Sequence, residues 1–170
     1  TIGKEGRDVF YKGSIAQAMA DYLGRIGSEL KLEDFAAHRG EWVSPGSVNY
    51  RGYDVYELPP NGQGYAALQM LSILKNVDFS QWPRSSARVF HYMVEAKRLA
   101  FEDVARYYAD PDFSEIPLQA LLSDEYGKQR FARIDAKKAS PDVVAGDPKL
   151  EGEGDTTYLT VADSSGMMVS

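Results

Sequence analysis

Cysteine is absent from the 170-residue sequence, which excludes a disulfide scaffold and any thiolate metal site. Histidine is scarce, with His38 and His91 the only two. That leaves little for a zinc site. It leaves as little for a serine–histidine–aspartate triad, since no Gly-x-Ser-x-Gly elbow is present. No apolar run approaches the roughly 20 residues needed to span a bilayer. The formal net charge is −6 and lysines and arginines do not cluster, so the basic face required by nucleic acid is missing. The chain starts at Thr1 without a signal-peptide pattern. It is expected to be a processed chain or an excised piece whose leader lies elsewhere, which leaves its compartment open.

What is present is a chain of one-domain length with the patterning of a helix-rich α+β fold. Ile15, Met19, Leu23 and Ile26 place an amphipathic helix over residues 10–26, stopped by Gly27. Leu32 to His38 reads as a second, short helix. The adjacent acids Glu33 and Asp34 do not face each other and suit its N-terminal end rather than acid–base chemistry. Val48–Tyr50 and Tyr53–Leu58 flank Arg51-Gly52, a two-residue hairpin turn. Its tyrosines are expected to pack across the strands rather than stack on bases. Pro59-Pro60-Asn61-Gly62-Gln63-Gly64 lacks the third glycine of a dinucleotide loop and the Gly-Lys-Ser/Thr of a phosphate loop.

The helix expected over Tyr65–Lys75 is apolar nearly all round and so buried on more than one side. After a loop over residues 76–84, Ser85–Tyr108 is the longest helical pattern. Val89, Phe90, Met93, Val94, Ala96, Ala100, Phe101 and Val104 form its expected apolar face, with Lys97, Arg98 and Glu102 solvated or paired. His91 reads as packed or surface. Asp110-Pro111-Asp112-Phe113 breaks that helix, and Leu118–Ile134 is expected to form another. Residues 135–154 are rich in Ala, Pro, Gly, Asp, Glu and Lys, and read as an exposed connection where a chain could be cut.

This connection ends at Gly154-Asp155-Thr156-Thr157-Tyr158, where alternation begins. Leu159 and Val161 fall on one face, and Tyr158, Thr160 and Ala162 on the other. Asp163-Ser164-Ser165-Gly166 is turn chemistry, and Met167-Met168-Val169 starts a partner strand, so the fold is expected to continue past Ser170. A threonine hydroxyl is a weak nucleophile without a base beside it. Cutting immediately before Thr156 would create an α-amine on the same residue, with a reference pKa of about 7.7–8.0 suited to that task. The hydroxyl could make the cut itself by attacking the Asp155 carbonyl. The residues alone leave Thr156 open between nucleophile and ordinary strand residue.

A resemblance narrows the choice. Phe10-Tyr11-Lys12-Gly13-Ser14-Ile15-Ala16, Leu32-Glu33-Asp34-Phe35-Ala36-Ala37, Tyr50-Arg51-Gly52-Tyr53-Asp54-Val55-Tyr56 and the Pro59–Gly64 run follow in order. Leu68-Gln69-Met70-Leu71-Ser72-Ile73-Leu74, Asp110-Pro111-Asp112-Phe113 and Gly154-Asp155-Thr156-Thr157-Tyr158 complete the series. Together they resemble the γ-glutamyltransferases (γ-glutamyltranspeptidases), which are N-terminal-nucleophile hydrolases. The Asn61-Gly62-Gln63-Gly64 version is similar to a branch distinct from enzymes with a Ser-Ser-Gly-Gly loop there.

The resemblance implies part of a four-layer αββα sandwich and a precursor that cleaves itself between Asp155 and Thr156. Residues 1–155 would be the C-terminal part of a large subunit, and residues 156–170 the first strands of a small one. Thr156 would attack a γ-glutamyl amide such as that of glutathione, with no cofactor and no metal. The partners implied are that small-molecule substrate and the remainder of both subunits. The arginine for the substrate's α-carboxylate would precede Thr1. The second threonine, the Asn/Gln/Asp set and the glycine oxyanion hole would follow Ser170. The 170-residue piece is therefore expected to be inactive and uncleaved. Two alternatives stand: a glutaryl-cephalosporin-type acylase of the same family, or a non-catalytic helical interaction module.

Overall fold

A computed structural model describes residues 1–148, 161–162 and 168–169. The chain divides into two compact units, Thr1–Trp42 and Val43 onward.

The first unit holds α1 (Ile2–Glu5), α2 (Asp8–Tyr11), α3 (Ser14–Arg25) and α4 (Leu32–Ala37). The single helix expected over residues 10–26 is two, because Gly13 is extended at φ −100° and ψ −154°. Asp34 accepts the Lys31 N–H at 2.8 Å, so this acid closes the start of α4 as its position implies. His38 stacks on Tyr11 with centroids 5.1 Å apart. Arg7 lies over that tyrosine at 4.3 Å and donates to the His38 carbonyl at 2.6 Å.

The second unit opens with the hairpin β1 (Gly46–Tyr50) and β2 (Tyr53–Glu57), paired antiparallel with Val48 opposite Val55 and Tyr50 opposite Tyr53. The two-residue turn forms as expected, with Arg51 at φ 55° and Gly52 at φ 89°. Arg51 donates to the Val77 carbonyl at 2.6 Å, tying the hairpin tip to the chain beyond α5 (Gly64–Leu74). Helix α5 is buried along several faces through Tyr65, Ala66, Leu68, Gln69, Ser72, Ile73 and Leu74. A 3-10 turn, Phe79–Gln81, lies in the expected loop and leads to α6 (Ala87–Tyr107), whose first turn is capped by Ser86.

The face of α6 agrees with expectation at Val89, Ala96 and Ala100 and differs elsewhere. Phe90, Met93 and Val94 are exposed, whereas Val89, Tyr92, Glu95, Ala96, Leu99, Ala100 and Asp103 are buried. The apolar residues could be assigned to a face turned by about one residue because two core positions carry carboxylates. The helix expected over Leu118–Ile134 is likewise two, α7 (Leu118–Leu121) and α8 (Asp124–Phe131). Ser123 separates them by capping α8, accepting the Tyr126 N–H at 3.1 Å.

One core cluster joins Ile73, Leu74 and Val77 to Tyr92, Ala96 and Leu99, with Phe79, Trp82, Phe131, Ile134 and Val143 packed around it. Trp82 and Tyr92 stack at 5.8 Å. A second joins Val48, Tyr65 and Leu68. At the end of the chain β3 (Val161–Ala162) pairs antiparallel with β4 (Met168–Val169), the hairpin expected from the alternation and turn chemistry.

Candidate active site

Asp155 and Thr156, the cleavage pair predicted from sequence, lie outside the described residues, as do the face assignments around Tyr158 to Thr160. What the structure describes is a buried polar network built by three helices and by the segment 132–148, which precedes Asp155 in the sequence.

Asp103 is the centre of that network. It is fully buried, and its Oδ1 accepts the Gly146 N–H at 2.9 Å and sits 3.2 Å from Arg130 Nη2. Its Oδ2 accepts Gln69 Nε2 at 3.1 Å, and Tyr108 donates to Gln69 Oε1 at 2.7 Å. The Arg130 guanidinium, also buried, donates to the carbonyls of Leu99 (2.8 Å) and Val144 (2.9 Å). Three helices supply this set: Gln69 from α5, Asp103 from α6 and Arg130 from α8.

The electrostatics follow from burial. Burial pushes the Asp103 carboxyl above its ordinary value, against the pull of the Gly146 N–H and the Arg130 charge. The Tyr126 hydroxyl is buried beside the same carboxylate without reaching hydrogen-bond geometry to any partner among the described residues. Burial, then the Asp103 charge, raises its pKa well above the ordinary tyrosine value, and the same two causes in the same order raise Tyr108. About two helical turns before Asp103, Glu95 accepts the Ser140 N–H at 3.1 Å and pairs with Arg98 at 2.8 Å. Burial pushes Glu95 up, but the Ser140 N–H and Arg98 outweigh it and its carboxyl ends below the ordinary value.

The connection is mostly exposed over residues 135–147, as expected, while its main chain is tied down at Ser140, Val144 and Gly146. Tyr107 donates to the Gly146 carbonyl at 2.6 Å, and Pro148 is buried. A Cβ on Gly146 would fall against the Tyr126 hydroxyl and 2.9 Å from Arg130 Cδ, so the backbone passes where only glycine fits.

Sequence reading passed over Asp103, Glu95, Gln69 and Arg130. A signal was available: Tyr92, Ala96, Leu99 and Ala100 define a helical stripe into which Glu95 and Asp103 fall, and a carboxylate at a core position needs a partner. His91 is half-buried, with Nε2 2.7 Å from the Asp135 carbonyl oxygen. Its structural contact thus lies with the same connection. Among the described residues no group of three or more His, Asp or Glu side chains could hold a metal.

The profile of the gamma-glutamyltranspeptidase family matches residues 1–170. The glutathione hydrolase-like YwrD proenzyme of Bacillus subtilis is 40% identical over 169 residues, covering 99% of this chain and 31% of that protein. The gamma-glutamyltranspeptidase of Helicobacter pylori superposes with a TM-score of 0.72 at 27% identity, over 91% of this chain and 45% of that one. The cephalosporin acylase of Bacillus halodurans superposes with a TM-score of 0.68 at 36% identity, over 98% and 29%. The chain spans about 30% of the length of the curated relatives it matches. A family match that runs from the first residue to the last, with folds that superpose over 91% and 98% of the chain, places the chain in the γ-glutamyltranspeptidase family.

Proposed function

We propose that the protein to which this chain belongs hydrolyses or transfers γ-glutamyl groups through Thr156. The observation that carries this reading is the family match across residues 1–170, which includes the Asp155-Thr156-Thr157 junction. The hydroxyl of Thr156 attacks the Asp155 carbonyl, the peptide nitrogen leaves as the new α-amine, and water hydrolyses the resulting ester. Residues 1–155 then end one subunit and Thr156 begins the other. The freed α-amine takes the hydroxyl proton as Thr156 attacks a γ-glutamyl amide, and passes it to the departing amine. Water or an amino acid releases the glutamyl group from the ester.

The acylase likeness supports a second reading within the same chemistry, in which a glutaryl amide takes the place of the γ-glutamyl amide. The two substrates differ by one α-amine, and the resemblance implies that the groups recognising it lie beyond Ser170. The test is release of p-nitroaniline from γ-glutamyl p-nitroanilide and from its glutaryl analogue by the full-length protein, with Thr156→Ala as control. A marked preference for the γ-glutamyl compound, lost in Thr156→Ala, supports the proposal. Turnover of only the glutaryl compound favours the acylase reading, and turnover by Thr156→Ala refutes both. The resemblance implies an oxyanion hole beyond Ser170, a group that can contribute about 3–4 kcal/mol to catalysis, so the 170-residue chain alone is expected to release none.

A further inference from the structure

We propose that residues 135–146 form a strap that opens as one unit while α5, α6 and α8 stay folded, and that a polar row on α6 is its latch. Latch and strap both lie among the described residues, and neither depends on Thr156. The row is His91, Glu95, Asp103 and Tyr107, spaced by four or eight residues and so set along one side of the helix. His91 meets the Asp135 carbonyl, Glu95 takes the Ser140 N–H, Asp103 takes the Gly146 N–H, and Tyr107 donates to the Gly146 carbonyl. Arg130 fills the gap in the row by donating to the carbonyls of both Leu99 and Val144. The strap therefore runs along α6 in the direction of the helix, over about 24 Å at a rise of about 1.5 Å per residue.

The way this segment is held sets it apart from the helices. Among the described residues no main-chain-to-main-chain hydrogen bond begins or ends within residues 135–148. Its hold comes from the latch side chains and Arg130. Most of its own side chains are exposed, and Val143 is only half-buried against the core cluster, so opening uncovers little apolar surface. Its two ends are fixed, because Ile134 packs on the same cluster and Pro148 is buried. A segment with few buried contacts opens at a lower free energy than the helices beneath it. Its attachments are a few residues apart on one path, so freeing one loosens its neighbours.

The strap also divides space. Asp142, Val143 and Val144 line two cavities at once. One, of about 250 Å³, has Leu99, Arg133 and Ser140 in its other walls. The second, of about 670 Å³, has Val94, Lys97, Phe101 and Glu102. The strap is the wall they share, and opening it joins them into one groove along α6. It is thus a gate, and the latch on α6 sets how often it stands open.

The experiment is amide hydrogen exchange of the full-length protein across a urea series below its unfolding transition. Exchange is resolved to single residues by mass spectrometry, for wild type, Tyr107→Phe and His91→Phe. In wild type the Ser140 and Gly146 amides are expected to exchange faster than the Leu68 and Ile73 amides of α5. They should share a weaker dependence on urea, because a small opening exposes little surface. Tyr107→Phe removes a bond at the Gly146 end and His91→Phe one at the Asp135 end. Each should speed exchange at Ser140 and Gly146 alike, by about two- to tenfold, and leave the α5 amides unchanged. Faster exchange at only the nearer amide means independent bonds and overturns the single unit. Unchanged exchange at both amides in either variant overturns the latch. Exchange of Ser140 and Gly146 with the rate and urea dependence of the α5 amides means opening only with the whole fold, and overturns the strap.

Discussion

Replacing Arg130 by methionine isolates the energetic role of the buried charge pair. Asp103 is fully buried and Arg130 is 4% exposed, so the ionised carboxylate would be left with Gln69 and the Gly146 N–H as its donors. The change also removes the bonds to the Leu99 and Val144 carbonyls. Breaking one side of a buried pair costs about 3–5 kcal/mol. Arg130 Nε is itself buried without a hydrogen-bond partner among the described residues, and removing that group offsets part of the loss. The expected cost is therefore near the lower end, about 3 kcal/mol. Urea denaturation followed by circular dichroism at pH 7 reads it as a fall in midpoint at unchanged slope. Asp103→Asn combined with Arg130→Met keeps an acceptor for Gly146 and removes both charges, so the double variant should be more stable than Arg130→Met alone. The pH dependence has a definite sign. Burial already raises the Asp103 pKa, and losing Arg130 raises it further. A group raised in the folded state contributes stability at low pH that is lost as pH rises through its folded value. The deficit of Arg130→Met should then shrink as pH falls from 8 toward 5. A cost below about 1 kcal/mol, or a double variant as destabilised as the two single changes added together, would refute the account of an uncompensated buried charge.

Two further perturbations test the packing and electrostatics around this centre. Gly127→Ala in α8 places a Cβ 2.8 Å from the Ser72 carbonyl oxygen and 2.5 Å from its hydroxyl. Although alanine is the better helix former, overpacking should destabilise the protein by about 1–3 kcal/mol, read as a lower urea midpoint; a stabilised variant would show that α8 and α5 are not packed this closely. Glu95→Gln tests the carboxylate held below its ordinary value by the Ser140 N–H and Arg98 despite burial. Its contribution is present above the ordinary glutamate pKa and lost as pH falls through the lowered one. The difference in melting temperature between wild type and Glu95→Gln should narrow between about pH 5 and pH 3; a difference that widens on acidification contradicts the assigned shift.

Much of the secondary structure was legible because its signals are local. Arg51-Gly52 specifies a two-residue turn, and the backbone adopts positive φ at both positions. The all-round apolar character of α5 announced burial on several faces, and it has that burial. The alternation and turn residues near the C-terminus announced the antiparallel pairing of β3 with β4. What failed was the reading of α6 by hydrophobicity alone. Phe90, Met93 and Val94 looked like core and are exposed, while Glu95 and Asp103, which hydrophobicity does not single out, are buried. Polar residues reach a core only where partners distant in sequence satisfy them, and those partners are Arg130, Gln69 and the backbone of Ser140 and Gly146. The same long-range bonds explain why the main chain of a segment whose side chains are mostly exposed, as expected, is nevertheless held in place. Thr156, which lies outside the described residues, was singled out by the opposite route, through the order of short segments that resemble the family.

The central claim is that Thr156 becomes an N-terminal nucleophile by cleavage of its own precursor. Intact-mass analysis and N-terminal sequencing of the full-length protein test it most directly. The account predicts two chains, the smaller beginning Thr156-Thr157-Tyr158, and a single uncut chain for Thr156→Ala. A smaller chain beginning at any other residue, or cutting at this junction in Thr156→Ala, would contradict it.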